Sequence, residues 1–564
     1  MTVQQNAGFL PTLLIFLPAT GALLLSLIPY GEASEIAGRW WPVRCFAMLT
    51  TVATFAVSVY FLARFQTGTH NIQFAQHVVW LPSLGISYFV GVDGINVWLL
   101  VLCTSVMMLA TFAACFMINR RVKAFLVLML IAEAGMLGVF LSWNLFLFYI
   151  FWEVMLIPAY FLIGMWGETK RVHATTKFVI YTIFGSFIML VGIFYLWATL
   201  PGHNLDIPYL MSHQLANGPQ GWVFLAFMLA LGIKAALFPF HSWAPDAYVE
   251  APVPAAVLIA AVMGKTATFA MLRIVLPIFP HASNQFSGLI EILALIGILY
   301  AASLALVQND TKKVLAYASV SHMNIIILGI FALNQQGIDG SILQMINHAV
   351  IMAGLFFVVA MMYARSGTRR LDEMSGLAKA FPVLAAFALL LFLAAMDLPG
   401  LGSFAGEFTI LIGVFLSNAW FATLAALVTI VAAWYMVRWF QGIFHGTVGT
   451  QVDDDEERSE LATPYEFPVR APRISVDLRK FEWAVLVPIA AVIVWLGVIP
   501  KPVTDRTASS VAALTRTLAA NRHTSISVAA PVPGSQGGNA GRDSVLVVKT
   551  RRVDHTPTNH GGAR

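Results

Sequence analysis

The amino-acid sequence predicts an all-α polytopic membrane protein with about fourteen transmembrane helices. Three observations support this fold class. Hydrophobic residues make up 59% of the 564 residues and the mean hydropathy is +0.78. Charged residues make up only 11%, against roughly 25% in soluble domains. Apolar runs of about 20 residues, the length that crosses a bilayer, recur along most of the chain. A soluble protein is excluded, and the net charge of +5 does not indicate nucleic-acid binding, because topology places basic residues in loops.

The predicted helices follow the apolar runs in order. These lie at about 8–30, 42–65, 95–118, 124–142, 145–166, 177–199, 221–239, 253–276, 287–307, 312–333, 340–363, 380–416, 419–443 and 482–499. The first run has no basic residue before it and is long enough to span, so we expect a retained helix rather than a cleaved signal. The run at 380–416 contains Asp397-Leu-Pro-Gly-Leu-Gly402, which predicts a broken helix.

Basic residues indicate the orientation of these helices. Lys and Arg collect in the even-numbered connections: Arg39, Arg44, Arg120, Arg121, Lys123, Lys170, Arg171, Lys177, Lys312, Lys313, Arg365, Arg369 and Arg370. The odd-numbered connections near 66–93, 200–220, 277–288, 334–340 and 417–419 contain none. Because basic loops stay on the cytoplasmic side, we expect both termini on the outer side of a bacterial cytoplasmic (inner) membrane.

The predicted helices divide the chain into six parts. These are three N-terminal helices with an outer-side loop (1–122), a five-helix unit (123–276), a second five-helix unit (277–443), a cytoplasmic loop (444–480), a last helix (481–503) and a tail (504–564). The loop contains the acidic run 453–457, which we interpret as solvated. The tail is rich in Ser, Thr, Gly and Pro, a composition that predicts disorder.

Two interrupted helices predict that the five-helix units are repeats. Lys234 lies five residues before Pro239 on the seventh helix, and we expect Glu407 to occupy the corresponding place beside the Pro399-Gly400 break on the twelfth. Interrupted polar helices five apart indicate repeats of helices 4–8 and 9–13, and an odd repeat length inverts the second copy. Inverted repeats with broken helices are typical of transporters.

Ionisable residues inside the predicted helices are the candidate functional residues, because each costs about 2.5–3.5 kcal/mol to insert. The main set is Glu153, Lys234, Lys265, His322, His348 and Glu407, with Glu133, His241 and Asp397 as auxiliary candidates. Carboxylates, lysines and histidines in a dry interior suit proton transfer, since a carboxylate moving relative to a lysine switches it between holding and releasing a proton. An ion pair that only orients helices is the alternative for any single residue.

The sequence contains no energy source for such transfer. It has no phosphate-binding loop, and Gly400-Leu-Gly-Ser-Phe-Ala-Gly406 resembles a dinucleotide fingerprint only loosely. The cysteines Cys45, Cys103 and Cys115 stand alone in apolar stretches, so we predict no metal site and no iron–sulfur cluster. A haem between His322 and His348 is a further alternative.

Four segments resemble the antiporter-like membrane subunits of respiratory complex I, a family shared with Mrp-type cation/proton antiporters. They are Phe151-Trp-Glu-Val-Met-Leu-Ile-Pro158, His241-Ser-Trp-Ala-Pro-Asp-Ala-Tyr-Val-Glu-Ala-Pro252, Lys265-Thr266 and Asp310-Thr-Lys-Lys-Val-Leu-Ala-Tyr-Ala-Ser-Val-Ser-His322. The resemblance covers roughly residues 90–445. Glu407, in Phe404-Ala-Gly-Glu-Phe408, matches the M type (chain 4 of the mitochondrial enzyme), where the L and N types carry Lys.

The resemblance implies a role for each main residue. Glu153 would modulate Lys234, Lys265 and His322 would connect two half-channels, His348 would continue the polar axis, and Glu407 would exchange protons with the outer side. NADH, FMN, iron–sulfur clusters and quinone would be bound by partner subunits, with no cofactor in this chain. The L and N subunits and membrane lipids would be its neighbours.

Some positions depart from the family pattern. Ala251-Pro-Val-Pro-Ala-Ala256 lacks the hydroxyls that are usual there, Tyr248 replaces a common His, and Asp397 replaces a small neutral residue. Asp397 is either a cap at the helix break or an added carboxylate. Two other functions stay open: a subunit of a stand-alone Mrp-type Na⁺/H⁺ antiporter, and a scaffold with vestigial charges.

Overall fold

The computed structural model describes residues 8–29, 41–446 and 476–527 and is helical almost throughout. Twelve helices in these ranges are long and apolar enough to cross a membrane. In chain order they are α1 Leu10–Leu27, α2 Trp41–Arg64, α3 Val97–Met117, α4 Val122–Leu141, α5 Leu145–Trp166, α6 Arg171–Thr199, α9 Val253–Ile278, α10 Pro280–Val307, α11 Thr311–Phe331, α12 Gln335–Ser366, α15 Ala419–Phe444 and α16 Lys480–Val498. The predicted all-α membrane architecture is confirmed.

The two remaining predicted runs are the interrupted ones. The first comprises α7 (Asn217–Lys234) and α8 (Trp243–Glu250), and the second comprises α13 (Pro382–Ala395) and α14 (Gly402–Ser417). α9, α11 and α12 form the centre of the bundle, because nearly all of their apolar length is buried. Lys265, His322 and His348 therefore lie on the elements most removed from lipid.

The two helix breaks share a local backbone geometry. Ala236, two residues after the end of α7, and Asp397, two residues after the end of α13, both adopt φ of 57°. By this match Lys234 corresponds to Ala395. The expectation that Glu407 occupies the place of Lys234 is therefore wrong: Lys234 ends the helix before its break, whereas Glu407 lies on the helix after its break. The five-helix inverted repeat itself stays a prediction.

The two ends of the bundle differ in structure. At one end, here called the hairpin end, β1 (Gln73–Leu81) and β2 (Ile86–Val92) form an antiparallel hairpin within the predicted outer loop. At the other, here called the basic end, lie the connections that carry Lys and Arg. This hairpin was not predicted from the sequence, because its strands of nine and seven residues are too short to be read as membrane spans.

A last helix, α17, extends from Lys501 to Ser527 at the hairpin end. The prediction of disorder from residue 504 is therefore wrong for 504–527. Burial of Val503, Val511 and Leu518, together with hydrogen bonds from Trp98 and Asn284 to its backbone, stabilises this helix. The rest of the predicted tail, the acidic run 453–457 and Arg39 lie outside the described residues, as does most of the predicted loop 444–480.

Candidate proton path in the membrane interior

Lys265 lies at the centre of the candidate site. It is fully buried on α9, between two π-helical segments, Leu258–Met263 and Met271–Val275. Such segments are rare and concentrate at functional sites. The Lys265 Nζ donates to the carbonyl of Ala260, inside the first of these segments, at 2.7 Å. It lies at the same distance, 2.7 Å, from Nδ1 of His348 on α12.

Contacts continue from His348 across three helices. The rings of His348 and His322, the latter on α11, have centroids 5.6 Å apart. His322 Nδ1 lies 3.6 Å from Glu407 Oε2 on α14, and Thr429 on α15 donates to Glu407 Oε1 at 3.2 Å. Lys265, His348, His322 and Glu407, here called the central axis, thus form a continuous series of titratable groups.

A small cavity lies beside the central axis. It has about 10 Å³ of space and is lined by Ala318, His322, His348, Ile351, Met352, Ala395, Ser403 and Met436. This space accommodates about one water molecule, and a porphyrin does not fit it. The arrangement of His322 and His348 therefore does not support the haem alternative, whereas a water bridging the two rings has room.

Glycines allow the helices of the axis to approach closely. A Cβ at Gly406 would lie 2.5 Å from Gln344 Oε1 and 2.9 Å from Gln344 N, and one at Gly402 would lie 2.8 Å from Asn347 Oδ1. In return, Gln344 donates to Ser403 at 2.7 Å and Asn347 donates to the Gly402 carbonyl at 2.6 Å. This approach of α12 and α14 brings Glu407 next to the two histidines.

Glu153 and Lys234 form a separate site in the first half of the bundle. Lys234 is 2% exposed, its Nζ has no hydrogen-bond partner among the described residues, and it lies 5.3 Å from the ring centroid of Trp152. Glu153, on α5, is within electrostatic range of Lys234. The two side chains do not form a direct ion pair in the part of the chain that the structure describes. Glu153 therefore influences the charge of Lys234 electrostatically, without a direct ion pair between the two side chains.

The break after Lys234 is stabilised by side chains from neighbouring segments. Trp243 donates to the Ile233 carbonyl at 2.8 Å, and Asn324, two residues after His322 on α11, donates to the Ala236 carbonyl at 3.1 Å. Backbone groups freed by a break inside a membrane must find such partners. The first break and the central axis thus share α11.

The auxiliary candidates lie in different places. Asp397 lies at the end of the central axis. One carboxylate oxygen of Asp397, one of Glu407 and a ring nitrogen of His322 all lie within 4.8 Å of one another. Glu133, on α4, is fully buried, and neither of its carboxylate oxygens has a hydrogen-bond partner among the described residues. His241 packs against the rings of Phe238 and Tyr300 in the first break, away from the central axis.

Sequence reasoning missed the polar residues that support the axis. Gln344 and Asn347 precede His348 by four residues and one residue on the apolar helix α12, so Gln344 shares its face. That spacing was a readable signal. Ser403 and Thr429 could not be recognised from the sequence. Isolated hydroxyls are common in membrane helices, where they usually donate a hydrogen bond to a backbone carbonyl of their own helix.

The chain also resembles known proteins along most of its length. The family model described as "NADH:quinone oxidoreductase/Mrp antiporter, TM" matches residues 142–432. NADH-quinone oxidoreductase subunit M of Rhodobacter capsulatus is 35% identical over 516 residues, covering 89% of this chain and 96% of that protein. Subunit M of Rickettsia typhi is 31% identical over 492 residues, covering 87% and 95%.

Solved structures show the same architecture. A chain of respiratory complex I from Thermus thermophilus with bound NADH superposes with a TM-score of 0.79 at 30% identity, covering 90% of this chain and 99% of that one. A chain of the Mrp complex from Dietzia sp. superposes with a TM-score of 0.77 at 22% identity, covering 91% and 99%, and shows the shared fold alone. By the family match and the relatives above 30% identity, this chain belongs to the NADH:quinone oxidoreductase/Mrp antiporter transmembrane family.

Proposed function

We propose that the chain is a proton-translocating membrane-arm subunit of an NADH-quinone oxidoreductase, equivalent to subunit M. The observation that carries this proposal is the central axis, in which four buried titratable residues from four helices lie in series. The sequence relatives above 30% identity include subunits M of that enzyme. NADH, FMN, iron–sulfur clusters and quinone belong to partner subunits in this proposal, and this chain carries no redox chemistry.

The axis moves a proton by side-chain chemistry alone. Each histidine carries a proton on one ring nitrogen and accepts another on the opposite nitrogen. A proton from Lys265 therefore passes to His348 Nδ1, and His348 releases one from Nε2 toward His322 through the water-sized cavity. His322 then delivers it to Glu407, which exchanges it with the outer side.

The Glu153–Lys234 site supplies the control step. With Glu153 near, the ammonium form of Lys234 is favoured, and with Glu153 displaced the dry surroundings favour the neutral amine. Since the two are not bonded directly, a small movement of α5 is enough to change the balance. Conformational change in the partner subunits drives that movement in this proposal.

The proposal fixes the orientation and neighbours of the chain. The basic end faces the cytoplasm and the hairpin end faces outward in a bacterial inner membrane, following the distribution of Lys and Arg. Other membrane-arm subunits, among them those of the L and N types, lie beside it within the lipid. A stand-alone Na⁺/H⁺ antiporter is the competing function, and Glu407 in place of the lysine of other types disfavours it.

NADH-driven proton uptake in inverted membrane vesicles tests the proposal, with Lys234→Met and Glu153→Gln in the intact complex. We expect assembled complex with proton uptake reduced by about 10²-fold or more, the scale of losing a positioned acid or base. Lys379→Met, at an exposed position, is the matched control and should pump normally. Normal pumping in Lys234→Met contradicts the relay, and NADH-independent Na⁺/H⁺ exchange by the isolated chain indicates the antiporter.

A further inference from the structure

Asp397 is a buried acid without a Lys or Arg partner among the described residues. It is 7% exposed, and both of its carboxylate oxygens are buried without a hydrogen-bond partner among the described residues. Because neither oxygen accepts a backbone N–H from the first turn of α14, the interpretation of Asp397 as a cap is wrong for this helix. Aspartate tolerates the left-handed backbone at this break, but Ala236 adopts the same φ at the first break. The carboxylate therefore needs another explanation.

The surroundings of Asp397 point to proton binding. One carboxylate oxygen of Asp397, one of Glu407 and a ring nitrogen of His322 lie within 4.8 Å of one another. Glu407 Oε2 and His322 Nδ1 also have no hydrogen-bond partner among the described residues. Tyr435, on α15, is buried within electrostatic range of both carboxylates. In the described part of the chain, neither carboxylate forms an ion pair with a Lys or Arg.

We propose that Asp397 and Glu407 together hold one shared proton, forming a two-carboxylate proton site at the end of the central axis. This inference rests on the proposed function. Two buried carboxylates this close do not both ionise, because their charges repel in a medium of low dielectric. One of the two therefore carries a proton while the other is an anion that accepts the next one.

The transfer between them balances without any further reactant. An O–H bond on Glu407 breaks as an O–H bond on Asp397 forms, and the charge of the pair stays at minus one. Glu407 is then free to accept the proton that arrives from His322. With the added carboxylate, Glu407 can accept one proton while Asp397 still holds another. A single glutamate would have to release its proton before it could accept the next.

The test uses Asp397→Asn, Asp397→Glu and Glu407→Gln in the assembled complex in vesicles. We expect Asp397→Asn, which keeps shape and removes the acid, to lower proton uptake per NADH oxidised by at least about tenfold. Asp397→Glu should restore most of it. In infrared difference spectra between acidic and alkaline buffer, the band of protonated carboxylic acid should change in both Asp397→Asn and Glu407→Gln.

The outcomes separate this inference from the proposed function. Loss of pumping in Lys234→Met and Glu407→Gln, with normal pumping or an unchanged infrared band in Asp397→Asn, overturns the shared proton and leaves the relay intact. A loss in Asp397→Asn that Asp397→Glu does not restore also overturns it. Normal pumping in Lys234→Met and Glu407→Gln overturns the proposed function itself.

Discussion

Two groups of buried charges in this protein are organised in opposite ways. At the basic end, Lys312 donates to Glu168 at 2.8 Å and to the carbonyls of Val249 and Ala251 at 3.4 and 3.3 Å, and Arg369 also pairs with Glu168. In the membrane interior, Lys234 and Glu133 have polar atoms with no hydrogen-bond partner among the described residues. The charges of the cluster Glu168–Lys312–Arg369 are paired with one another, and we call such charges closed. The interior groups have polar atoms without a hydrogen-bond partner among the described residues, and we call them open.

In the proposed function, this difference separates the charges that hold helices together from those that transfer protons. A buried ion pair with every hydrogen bond satisfied holds helices together and leaves no place for a mobile proton. An open buried group lowers stability, because a polar atom taken out of water without a hydrogen-bond partner loses its solvation energy. Buried polar atoms in proteins are therefore normally hydrogen-bonded. In the proposed function, a proton or a water molecule binds at such a group during proton transfer.

The comparison predicts its largest effect at the basic-end cluster. Glu168→Gln removes the carboxylate that pairs with buried Lys312 and with partly buried Arg369, which keeps Asp310 as a second partner. Removing one partner of a buried pair such as Glu168–Lys312 costs about 3–5 kcal/mol. Because the cluster joins the end of α5 to α8, α11 and the connection after α12, we expect a lower unfolding temperature in detergent and poor assembly into the membrane complex.

Glu133→Gln is the matched control for that variant. It makes the same chemical change at a fully buried glutamate with no hydrogen-bond partner among the described residues, so no cation loses a partner. We expect its unfolding temperature to equal or exceed that of the original protein. If both variants are equally destabilised, pairing does not distinguish the two groups of charges and the comparison is wrong.

The sequence predicted the open groups better than the closed ones. Glu153, Lys234, Lys265, His348 and Glu407 were recognisable because each interrupts a long apolar run. The basic-end cluster was not, since its three residues come from segments far apart in the chain, and Lys312 and Arg369 looked like topology signals.

The sequence also could not give the distances along the path. Contact between Lys265 and His348 depends on how α9 packs against α12, and the gap between Glu153 and Lys234 depends on the tilt of α5. The helix α17 was not predicted for a related reason. Packing against the bundle stabilises it, and its polar composition gives no indication of that packing.

A smaller effect is expected where the central axis depends on helix packing. A Cβ at Gly406 would lie within 3.0 Å of the backbone of Gln344, so Gly406→Ala must push α14 away from α12. Overpacking of this kind costs about 1–3 kcal/mol. The movement also takes Glu407 away from His322, and we expect reduced proton uptake at unchanged assembly.

Gly442→Ala controls for the substitution itself. Gly442 lies in α15 with nothing within 4 Å of its would-be Cβ, and alanine there favours the helix by about 0.5–1 kcal/mol. Its unfolding temperature should rise slightly and its pumping should stay normal. Equal pumping in the two glycine variants would show that the axis does not depend on the approach of α12 and α14.

The smallest effect is expected for a charge pair in water. Asp372 and Arg370 are exposed, with Arg370 Nη2 donating to Asp372 Oδ2 at 2.7 Å. This hydrogen bond, together with one from Asn309, lowers the pKa of Asp372 to about 2. A lowered carboxyl pKa contributes stability above the unfolded value, about 3.9, and the contribution is lost as pH falls toward 2. Solvent screens such a pair, so Asp372→Asn should leave the unfolding temperature unchanged at about pH 7. A decrease comparable to that of Glu168→Gln would mean that pairing alone, without burial, stabilises the basic end.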